Sequence, residues 1–443
     1  MTEAFEGLTP QPLWSYFDEI CKIPRLSRHE EEMTGWLLNF ANDKGLEAKK
    51  DKAGNVLIKK PASPGMEEKP PVVLQSHVDM VGEKNNDKVH DFFSDPIIPL
   101  RDGDWIKADG TTLGADDGIG IAAQLAILAS DNIAHGPLEC LFTVDEETGL
   151  TGAFNLEEDF FEGRTLINLD SEDEGELFIG CAGGIDTMAR FTPGYEDVPD
   201  GYTALEIKVT GLKGGHSGDD ISKGLGNANK ILVRYLWQMG RQYGFRLASV
   251  EGGNLRNAIA REASAVGVVP SRYKEEARVV LNMLTHDVEQ ELRLTDPGVK
   301  LLLGSTELPG KLFTKTFQEK LLNALYACPH GVVSWSREIE NLVETSTNLA
   351  SVKKEEDGIL VTTSQRSSVE SARDDIANMV RSVFELADAK VKNSDGYPGW
   401  EPDMSSPVLE VAVSSYEKLF GQKPEVKAVH AGLECGLFLQ KYP

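Results

Sequence analysis

Short acidic and histidine motifs in this sequence carry side chains that can bind cations and move protons. They are His77-Val78-Asp79, Asp116-Asp117, Asp145-Glu146-Glu147, Asp170 and His430. Imidazole nitrogens and carboxylate oxygens together form the donor set of hydrolytic sites that hold two metal ions. A further carboxylate that binds no metal can serve such a site as its general base. The combination of motifs therefore predicts metal-assisted hydrolysis.

Each motif taken alone also has an ordinary structural explanation. Asp116 and Asp117 could cap the helix that follows them and interact favourably with its dipole. The acidic run 145–147 could form a solvated loop, Asp170 could close a turn, and a single histidine such as His430 is often structural. The presence of all the motifs in one chain favours metal binding over these explanations.

Four of these motifs directly follow predicted strands. The apolar segments that predict strands in the first part of the chain are 55–58, 72–74, 138–144 and 166–169. Helical spacing of apolar residues predicts helices over 12–46 and 119–128. Strands that alternate with helices indicate an α/β domain with a mostly parallel sheet. Because such sheets bind ligands beyond the carboxyl ends of their strands, we expect the motifs to converge.

The pattern changes beyond the glycine-rich segment 180–184, which is interpreted as a turn between domains. The next predicted elements are a strand at 203–210, a helix at 221–243, a strand at 263–269 and a helix at 273–284. A similar order recurs in a helix at 315–327, strands at 341–352 and 358–364, and a helix at 370–388. Asn257-Ala258-Ile259-Ala260 and Asn348-Leu349-Ala350-Ser351 occupy comparable places, which suggests a duplicated α+β unit.

A helix at 406–420 and a strand at 426–429 are expected to return the chain to the first domain. The predicted organisation is therefore an α/β domain interrupted by one α+β insertion. Its boundaries are 1–183 for the first part of the α/β domain, 184–394 for the insertion and 395–443 for the last part.

The order of the motifs is similar to that of a known family. The matching segments are Ser76-His77-Val78-Asp79-Met80, Thr111-Thr112-Leu113-Gly114-Ala115-Asp116-Asp117-Gly118, Glu146-Glu147-Thr148-Gly149, Asn168-Leu169-Asp170 and His430-Ala431-Gly432-Leu433-Glu434. The chain resembles the di-zinc exopeptidases and, among them, the aminoacyl-histidine (Xaa-His) dipeptidases. The resemblance runs from Cys21-Lys22-Ile23-Pro24-Arg25 to Glu434. It implies a zinc-exopeptidase-like catalytic domain with an inserted lid domain.

The resemblance also implies a set of metal ligands. His77 and Asp170 would bind one zinc ion, Glu147 and His430 would bind the other, and Asp116 would bridge the two. Two Zn²⁺ ions per chain are therefore expected, although Mn²⁺ or Co²⁺ suit the same donors.

Three further residues take catalytic roles by the same resemblance. Glu146 would be the general base that activates the metal-bound water, and Asp79 would orient the imidazole of His77. His216, in the segment Lys213-Gly214-Gly215-His216-Ser217-Gly218, would stabilise the oxyanion.

Asn257 and Arg366 occupy the places of substrate-holding residues in the resembling family. The guanidinium of Arg366 suits the dipeptide carboxylate through a bidentate pair. The structural alternative for these two residues is a strand-flanking asparagine and a solvated arginine. Gly118 departs from many relatives, which carry a lysine there, and agrees with the histidine-dipeptidase branch.

The composition excludes several other classes of protein. Among 443 residues, 45 Lys and Arg stand against 71 Asp and Glu, and the formal charge of −26 disfavours nucleic acid and anionic membranes as partners. The five cysteines are scattered, and the acidic N-terminus lacks signal-peptide features. No apolar run approaches the roughly 18 residues of a membrane span. We therefore expect a cytoplasmic protein.

The resemblance predicts a dipeptidase that hydrolyses unblocked dipeptides, including Xaa-His substrates such as β-alanyl-histidine. Two alternatives stay open, namely a related di-metal N-acyl amino-acid deacylase or tripeptidase, and a non-catalytic metal-binding scaffold. Two assemblies also stay open. The chain could form a homodimer, or a duplicated lid could take the place of a partner's lid.

Overall fold

The computed structural model describes residues 2–356 and 358–442. Contacts between residues divide the chain into two compact units. The first unit comprises Met1–Glu176, Pro407–Pro424 and Leu437–Pro443, and the second comprises Leu177–Ser406 and Glu425–Gly436. The positions 183 and 394, after which the domain boundaries are expected, both lie within the second unit.

The secondary structure alternates between helices and strands in the first third of the chain and again near its end. The helices are α1 (Gln11–Ile20), α2 (Glu31–Asp43), α3 (Ala115–Ala129), α4 (Thr151–Phe154), α5 (Ala228–Tyr243), α6 (Lys274–Glu291), α7 (Lys315–Ala327), α8 (Glu370–Glu385), α9 (Pro407–Phe420) and α10 (Glu434–Lys441). The strands are β1 (Glu47–Lys50), β2 (Val56–Lys60), β3 (Val72–His77), β4 (Pro99–Asp102), β5 (Trp105–Ala108), β6 (Leu138–Thr143), β7 (Thr165–Asn168), β8 (Glu176–Cys181), β9 (Gly183–Phe191), β10 (Tyr195–Glu196), β11 (Tyr202–Thr210), β12 (Arg246–Gly252), β13 (Ala263–Pro270), β14 (Lys300–Ser305), β15 (Leu312–Phe313), β16 (Gly331–Trp335), β17 (Val343–Glu355), β18 (Gly358–Ser367), β19 (Lys390–Asn393) and β20 (Glu425–Val429).

The main sheet of the first unit runs in the order β1-β2-β6-β3-β7. β3 pairs in parallel with both β6 and β7, so the carboxyl ends of these three strands lie at one edge. β1 with β2 and β2 with β6 pair antiparallel. The predicted α/β class is confirmed, but the sheet is mixed rather than mostly parallel. The short connection between β1 and β2 allows only an antiparallel pair, since a parallel pair needs a long crossover.

Helices cover the sheet of the first unit through a continuous apolar core. This core includes Phe17 of α1, Leu37 of α2, and Ile121 and Leu125 of α3. β6 is buried along its whole length, as expected for a strand covered on both faces. Each fully buried large apolar side chain stabilises the fold by about 1.5–3 kcal/mol. The motifs at His77 and at 145–147 therefore lie where the buried strands β3 and β6 end.

The main sheet of the second unit is antiparallel and runs in the order β14-β11-β13-β12-β17-β18-β9-β19. The two halves of this sheet contain the same elements in the same chain order, strand–helix–strand–strand–helix–strand. The first half consists of β11, α5, β12, β13, α6 and β14, and the second of β9, α7, β17, β18, α8 and β19. Counted from the edge inward, the strand order is β14-β11-β13-β12 in the first half and β19-β9-β18-β17 in the second, so corresponding strands occupy corresponding positions. The two halves meet where Gly252 pairs with Val352. The sheet order supports the predicted duplication of an α+β unit.

One half of the second unit is nested inside the other. After β9 the chain builds the elements from β11 to β14 and then returns to α7. The two-stranded ribbon of β10 and β15 closes this excursion, because Tyr195 pairs with Phe313 and Glu196 with Leu312. The chain thus enters and leaves residues 197–311 at neighbouring points.

Three further sequence-based expectations are corrected by the structure. The helical spacing over 12–46 belongs to two helices separated by a loop, because Pro24 lacks an N–H group and disfavours a helical residue before it. The helix predicted from 221 begins at Ala228, where Asn227 caps it by accepting from the next turn. Asn257 lies in the loop after β12 whereas Asn348 lies inside β17, so these two segments are not equivalent.

Across the two described ranges, no helix combines the length and the apolar character needed to cross a membrane.

Candidate metal centre

His77 is the last residue of β3, and its imidazole is held between two carboxylates. Its Nε2 lies 2.8 Å from Oδ1 of Asp116, and its Nδ1 lies 3.2 Å from Oδ1 of Asp79. Burial alone lowers the pKa of His77, but the hydrogen bonds with Asp116 and Asp79 outweigh it and raise the pKa well above its ordinary value. The predicted support of His77 by Asp79 is present in the geometry.

The two adjacent aspartates at the start of α3 make different contacts. Asp117 is buried, and its Oδ1 accepts a hydrogen bond from the backbone N–H of Gly120 at 3.1 Å, as a helix cap does. Asp116 has non-helical backbone angles and faces His77 instead. Its side chain is 43 % exposed, so a solute can reach it. Asp117 therefore caps the helix, whereas Asp116 is left to face His77 and remains a candidate metal ligand.

Asp170 completes a cluster with these side chains. It follows β7, and its Oδ2 lies 3.9 Å from Nε2 of His77. One ligand atom from each of His77, Asp116 and Asp170 lies within 4.8 Å of the others. One imidazole nitrogen with two carboxylate oxygens is a donor set that fits Zn²⁺, Mn²⁺ or Co²⁺.

The acidic run after β6 is held by its backbone. The N–H groups of Glu146 and Glu147 donate to the two oxygens of Asp79 at 3.0 and 3.2 Å. The N–H of Asp145 donates to Oε1 of Glu30 at 3.0 Å. The buried carboxylates of Asp79 and Glu30 thus accept hydrogen bonds from three successive peptide N–H groups. These contacts hold the backbone, and therefore the Cα positions, of Glu146 and Glu147 in place.

The structure also distinguishes the three acids of this run. Asp145 is buried, accepts from the hydroxyl of Thr148 at 2.6 Å and lies 3.5 Å from Nε of Arg28. Burial and the negative charge of Asp116 raise the pKa of Glu147. The arrangement is consistent with Glu146 and Glu147, rather than Asp145, as the acidic pair. It also shows an excess of negative charge that a bound cation would relieve.

The second unit contains a cluster of the opposite charge. Arg366 on β18 is buried, and its Nη1 donates to the hydroxyl of Tyr397 at 2.9 Å. Its Nη2 lies 3.4 Å from Nε2 of His216, whose Nδ1 lies 2.8 Å from Asp219. Within the described residues, Nε of Arg366 has no hydrogen-bond partner. A buried guanidinium with an unused donor suits a carboxylate ligand.

Asn257 and His216 lie on neighbouring segments of this unit. The residue after His216, Ser217, donates its N–H to the carbonyl oxygen of Asn257 at 2.8 Å, and His216 forms an isolated β-bridge with Ala258. The Asn257 residue itself is exposed. The structure therefore brings the loop of Asn257 next to His216 and His216 next to Arg366.

His430 also belongs to the second unit. It directly follows β20, is buried, and has Nε2 at 2.7 Å from the hydroxyl of Ser346. Its Nδ1 has no partner among the described residues. Burial, aided by the charge of Arg366, lowers the pKa of His430 to about 3. Its imidazole is therefore neutral at neutral pH, which is the form that binds metal ions.

Sequence reasoning assigned no role to Tyr397 or Ser346. Tyr397 lies in the segment 395–400, which composition alone marks as a loop. A Cβ on Gly184 would lie 2.5 Å from the ring of Tyr397, and one on Gly432 would lie 2.7 Å from it. Gly184, in the segment predicted to form a turn, and Gly432 thus leave room for this ring. The only sequence signal was an aromatic residue between glycines.

A histidine and several carboxylates at the strand ends of a mixed α/β sheet, in a chain that also carries an antiparallel insertion, are features of a metal-dependent hydrolase. Residues 73–443 match the model of "Peptidase family M20/M25/M40". The chain belongs to this family of metal-dependent peptidases.

Two relatives match nearly the whole chain. The cytosol non-specific dipeptidase of Escherichia coli K12 is 44 % identical over 98 % of this chain and 90 % of its own length. The crystal structure of aminoacylhistidine dipeptidase from Vibrio alginolyticus has a TM-score of 0.90 and 44 % identity, covering 100 % of this chain and 90 % of that one. The aminopeptidase PepT from Bacillus cereus, at 18 % identity and a TM-score of 0.54, shares the fold, with coverage of 97 % and 87 %.

Proposed function

We propose that this chain is a metal-dependent dipeptidase that hydrolyses unblocked dipeptides, including Xaa-His substrates such as β-alanyl-histidine. The observation that carries the proposal is the cluster of His77, Asp116 and Asp170 in a chain 44 % identical to two named dipeptidases. One relative is named a non-specific dipeptidase and the other an aminoacylhistidine dipeptidase. Both names support a preference for two-residue substrates.

Five residues are proposed to hold two Zn²⁺ ions. His77 and Asp170 would bind one ion, Glu147 and His430 the other, and Asp116 both. Bound metal would supply positive charge that polarises the scissile carbonyl and lowers the pKa of water. Burial and the negative charge of Asp116 raise the pKa of Glu147, and a bound cation would offset that charge, which supports this placement. Mn²⁺ or Co²⁺ could take the same places.

Glu146 is proposed as the general base. It would accept a proton from the attacking water and deliver that proton to the leaving amine. The hydrogen bond from its backbone N–H to Asp79 supports this role, because Asp79 also contacts His77. One buried carboxylate would then align both the base and a metal ligand.

Arg366 is proposed to bind the carboxylate of the dipeptide, with His216 and Asn257 as neighbours. The support is the burial of Arg366 and its Nε, which has no hydrogen-bond partner among the described residues, while its other nitrogens contact Tyr397 and His216. His216 would stabilise the oxyanion that forms when the carbonyl is attacked. Asn257 would add a polar contact to the substrate.

The proposed partners are small dipeptides, and the proposed location is the cytoplasm. The name of the Escherichia coli relative supports the location. The matched halves of the second unit support a chain that works without a partner's lid. A homodimer is the alternative, and sedimentation equilibrium would distinguish the two.

The test is the release of free histidine from β-alanyl-histidine and glycyl-histidine by chelator-stripped protein, before and after adding Zn²⁺. We expect release only with metal. If two equivalents of metal bind and no histidine appears, N-acetyl-histidine and a tripeptide test the deacylase and tripeptidase alternatives. Metal binding without any product would indicate a scaffold, and no metal binding at all would contradict the site.

A further inference from the structure

Arg25 lies in the loop between α1 and α2 and is buried, with 3 % of its surface exposed. Its Nη1 donates to the carbonyl oxygens of Val78 at 2.9 Å and Asp79 at 2.8 Å. Its Nη2 donates to the carbonyl oxygen of Gly114 in a short hydrogen bond. One guanidinium therefore joins the segment that follows β3 to the turn that precedes α3.

We infer that Arg25 is a positioning residue that holds His77 and Asp116 in the mutual arrangement of the proposed metal site. This inference rests on the proposed function. Its contacts are to peptide carbonyls, so it acts through the backbone of the two segments. If it is removed, three carbonyl oxygens lose a donor in a buried region, and the segments must shift or admit water to recover hydrogen bonds.

Two glycines leave the space that this guanidinium fills. A Cβ on Gly114 would lie 2.5 Å from Nη2 of Arg25, and a Cβ on Gly118 would lie 2.7 Å from it and 3.0 Å from the ring of Phe17. Gly114 has a φ of 68°, which favours glycine by itself. Gly118 directly follows Asp117 in the first helical turn of α3, where alanine would still be the better helix former. The space occupied by Arg25 and Phe17 explains the glycine at 118.

If Arg25 positions the two segments, its removal should weaken metal binding. If Arg25 acts only through its charge, its removal should strengthen metal binding. The guanidinium interacts with the negative charges of Asp79, Asp117 and Asp116. Removing a positive charge from beside a cation site would strengthen metal binding by that effect alone. Losing a backbone clamp weakens binding instead, so the sign of the change separates the two roles.

The test measures Zn²⁺ affinity by isothermal titration calorimetry on the chelator-stripped full chain, with the unfolding temperature as a second readout. Arg25→Ala should weaken the affinity by about 10–100-fold, as is typical of residues that orient metal ligands. Free guanidinium ion added at millimolar concentration should restore part of the lost Zn²⁺ affinity. It can occupy the space beside Gly114 and Gly118 that the side chain of Arg25 leaves empty. The control is Arg101→Ala, which removes an exposed arginine that donates to the carbonyl oxygen of Glu6. This variant should bind Zn²⁺ with unchanged affinity, and added guanidinium should have no effect on it.

A second pair of variants keeps the inference testable if Arg25→Ala does not fold. Gly118→Ala should displace the guanidinium and weaken Zn²⁺ binding, although alanine favours the helix. Gly35→Ala in α2 is the matched control, because a Cβ there meets no atom within 4 Å. It should leave the affinity unchanged and raise the unfolding temperature.

Unchanged or tighter Zn²⁺ binding by folded Arg25→Ala, or by folded Gly118→Ala, would overturn the inference alone. Absence of Zn²⁺ binding by the unmodified chain would overturn the proposed function and the inference with it. The two failures are therefore distinguishable in one experiment.

Discussion

His77 in the first unit and His430 in the second are both buried histidines, yet their pKa values shift in opposite directions. Burial favours the neutral imidazole in both places. At His77 the hydrogen bonds with Asp116 and Asp79 outweigh burial and raise the pKa. At His430 burial and the charge of Arg366 act together and lower the pKa to about 3. Burial therefore keeps the imidazole of His430 neutral, and only the neighbouring carboxylates reverse its effect at His77.

The same difference separates the two clusters as wholes. Carboxylates surround His77, so the first unit attracts cations. The second unit places Arg366 beside the hydroxyl of Tyr397 and the imidazole of His216, and its Nε has no hydrogen-bond partner among the described residues, so it suits an anion. A peptide hydrolase that needs metal ions and binds a substrate carboxylate requires both kinds of environment. Each unit carries one of them.

The largest effect is expected from the proposed base in the acidic cluster. Glu146→Gln keeps the size of the side chain but cannot accept the proton, so kcat should fall by about 10²–10⁴-fold. Zn²⁺ binding measured by calorimetry should persist. Glu162→Gln, which changes an exposed carboxylate paired with Lys59, is the control and should keep full activity. Loss of metal together with activity in Glu146→Gln would make Glu146 a ligand instead.

The neighbouring aspartates of α3 test whether the acidic cluster is a cation site. Asp116→Ala removes the carboxylate that faces His77, so Zn²⁺ affinity should fall by on the order of 100-fold or more. Asp117→Asn should keep the metal, because an asparagine oxygen can still accept from the N–H of Gly120. Equal losses in both variants would contradict the division of tasks between the two residues.

The anion site of the second unit is tested by Arg366→Lys. Lysine keeps the charge but loses the planar pair of donors, so KM for glycyl-histidine should rise by about 10–100-fold with little change in kcat. Glycyl-histidinamide, which lacks the carboxylate, should be hydrolysed equally by both proteins. Arg381→Lys, on the exposed Arg381–Glu385 pair of α8, provides the control. A fall in kcat at constant KM would place Arg366 in the reaction rather than in binding.

The smallest effect concerns stability and a third histidine. Burial, with a contribution from Lys230, lowers the pKa of His330 in the second unit to about 4. Below pH 6.5 the unfolded chain binds a proton at His330 that the folded chain does not, so stability is lost as pH falls from 6.5 to about 4.

Replacing His330 by asparagine should flatten this part of the pH dependence, by about 1–3 kcal/mol in the free energy of unfolding at pH 4. Urea unfolding at several pH values measures it. His286→Asn, on the exposed side of α6, is the control. An unchanged slope in His330→Asn would show that other groups govern the acid response of the second unit.

The elements of the fold could be predicted from the sequence because their signals are local. Helix α7 has the predicted bounds, and β3 and β6 begin at their predicted residues. The motif at Asp116 and Asp117 shows the limit of this reasoning. Which aspartate caps the helix and which faces His77 depends on the left-handed turn at Gly114, and spacing alone does not reveal that turn.

Contacts between distant residues could not be predicted in the same way. His216 and Arg366 are 150 residues apart, and their proximity depends on how the two halves of the antiparallel sheet meet. Arg25 lay in a segment that resembled the family, but a single arginine has no periodicity or spacing that reveals three carbonyl partners. Roles that depend on tertiary packing needed the structure.

The ribbon of β10 and β15 has a consequence for how such a chain can evolve or be re-engineered. Paired residues of antiparallel strands lie about 4.5–5.5 Å apart, so one or two residues could reconnect Glu196 to Leu312. Residues 197–311 therefore form a segment whose deletion leaves chain ends close enough to be joined. A single genetic event at the ribbon can add or delete half of the antiparallel sheet, while the strand register of the other half stays as it was.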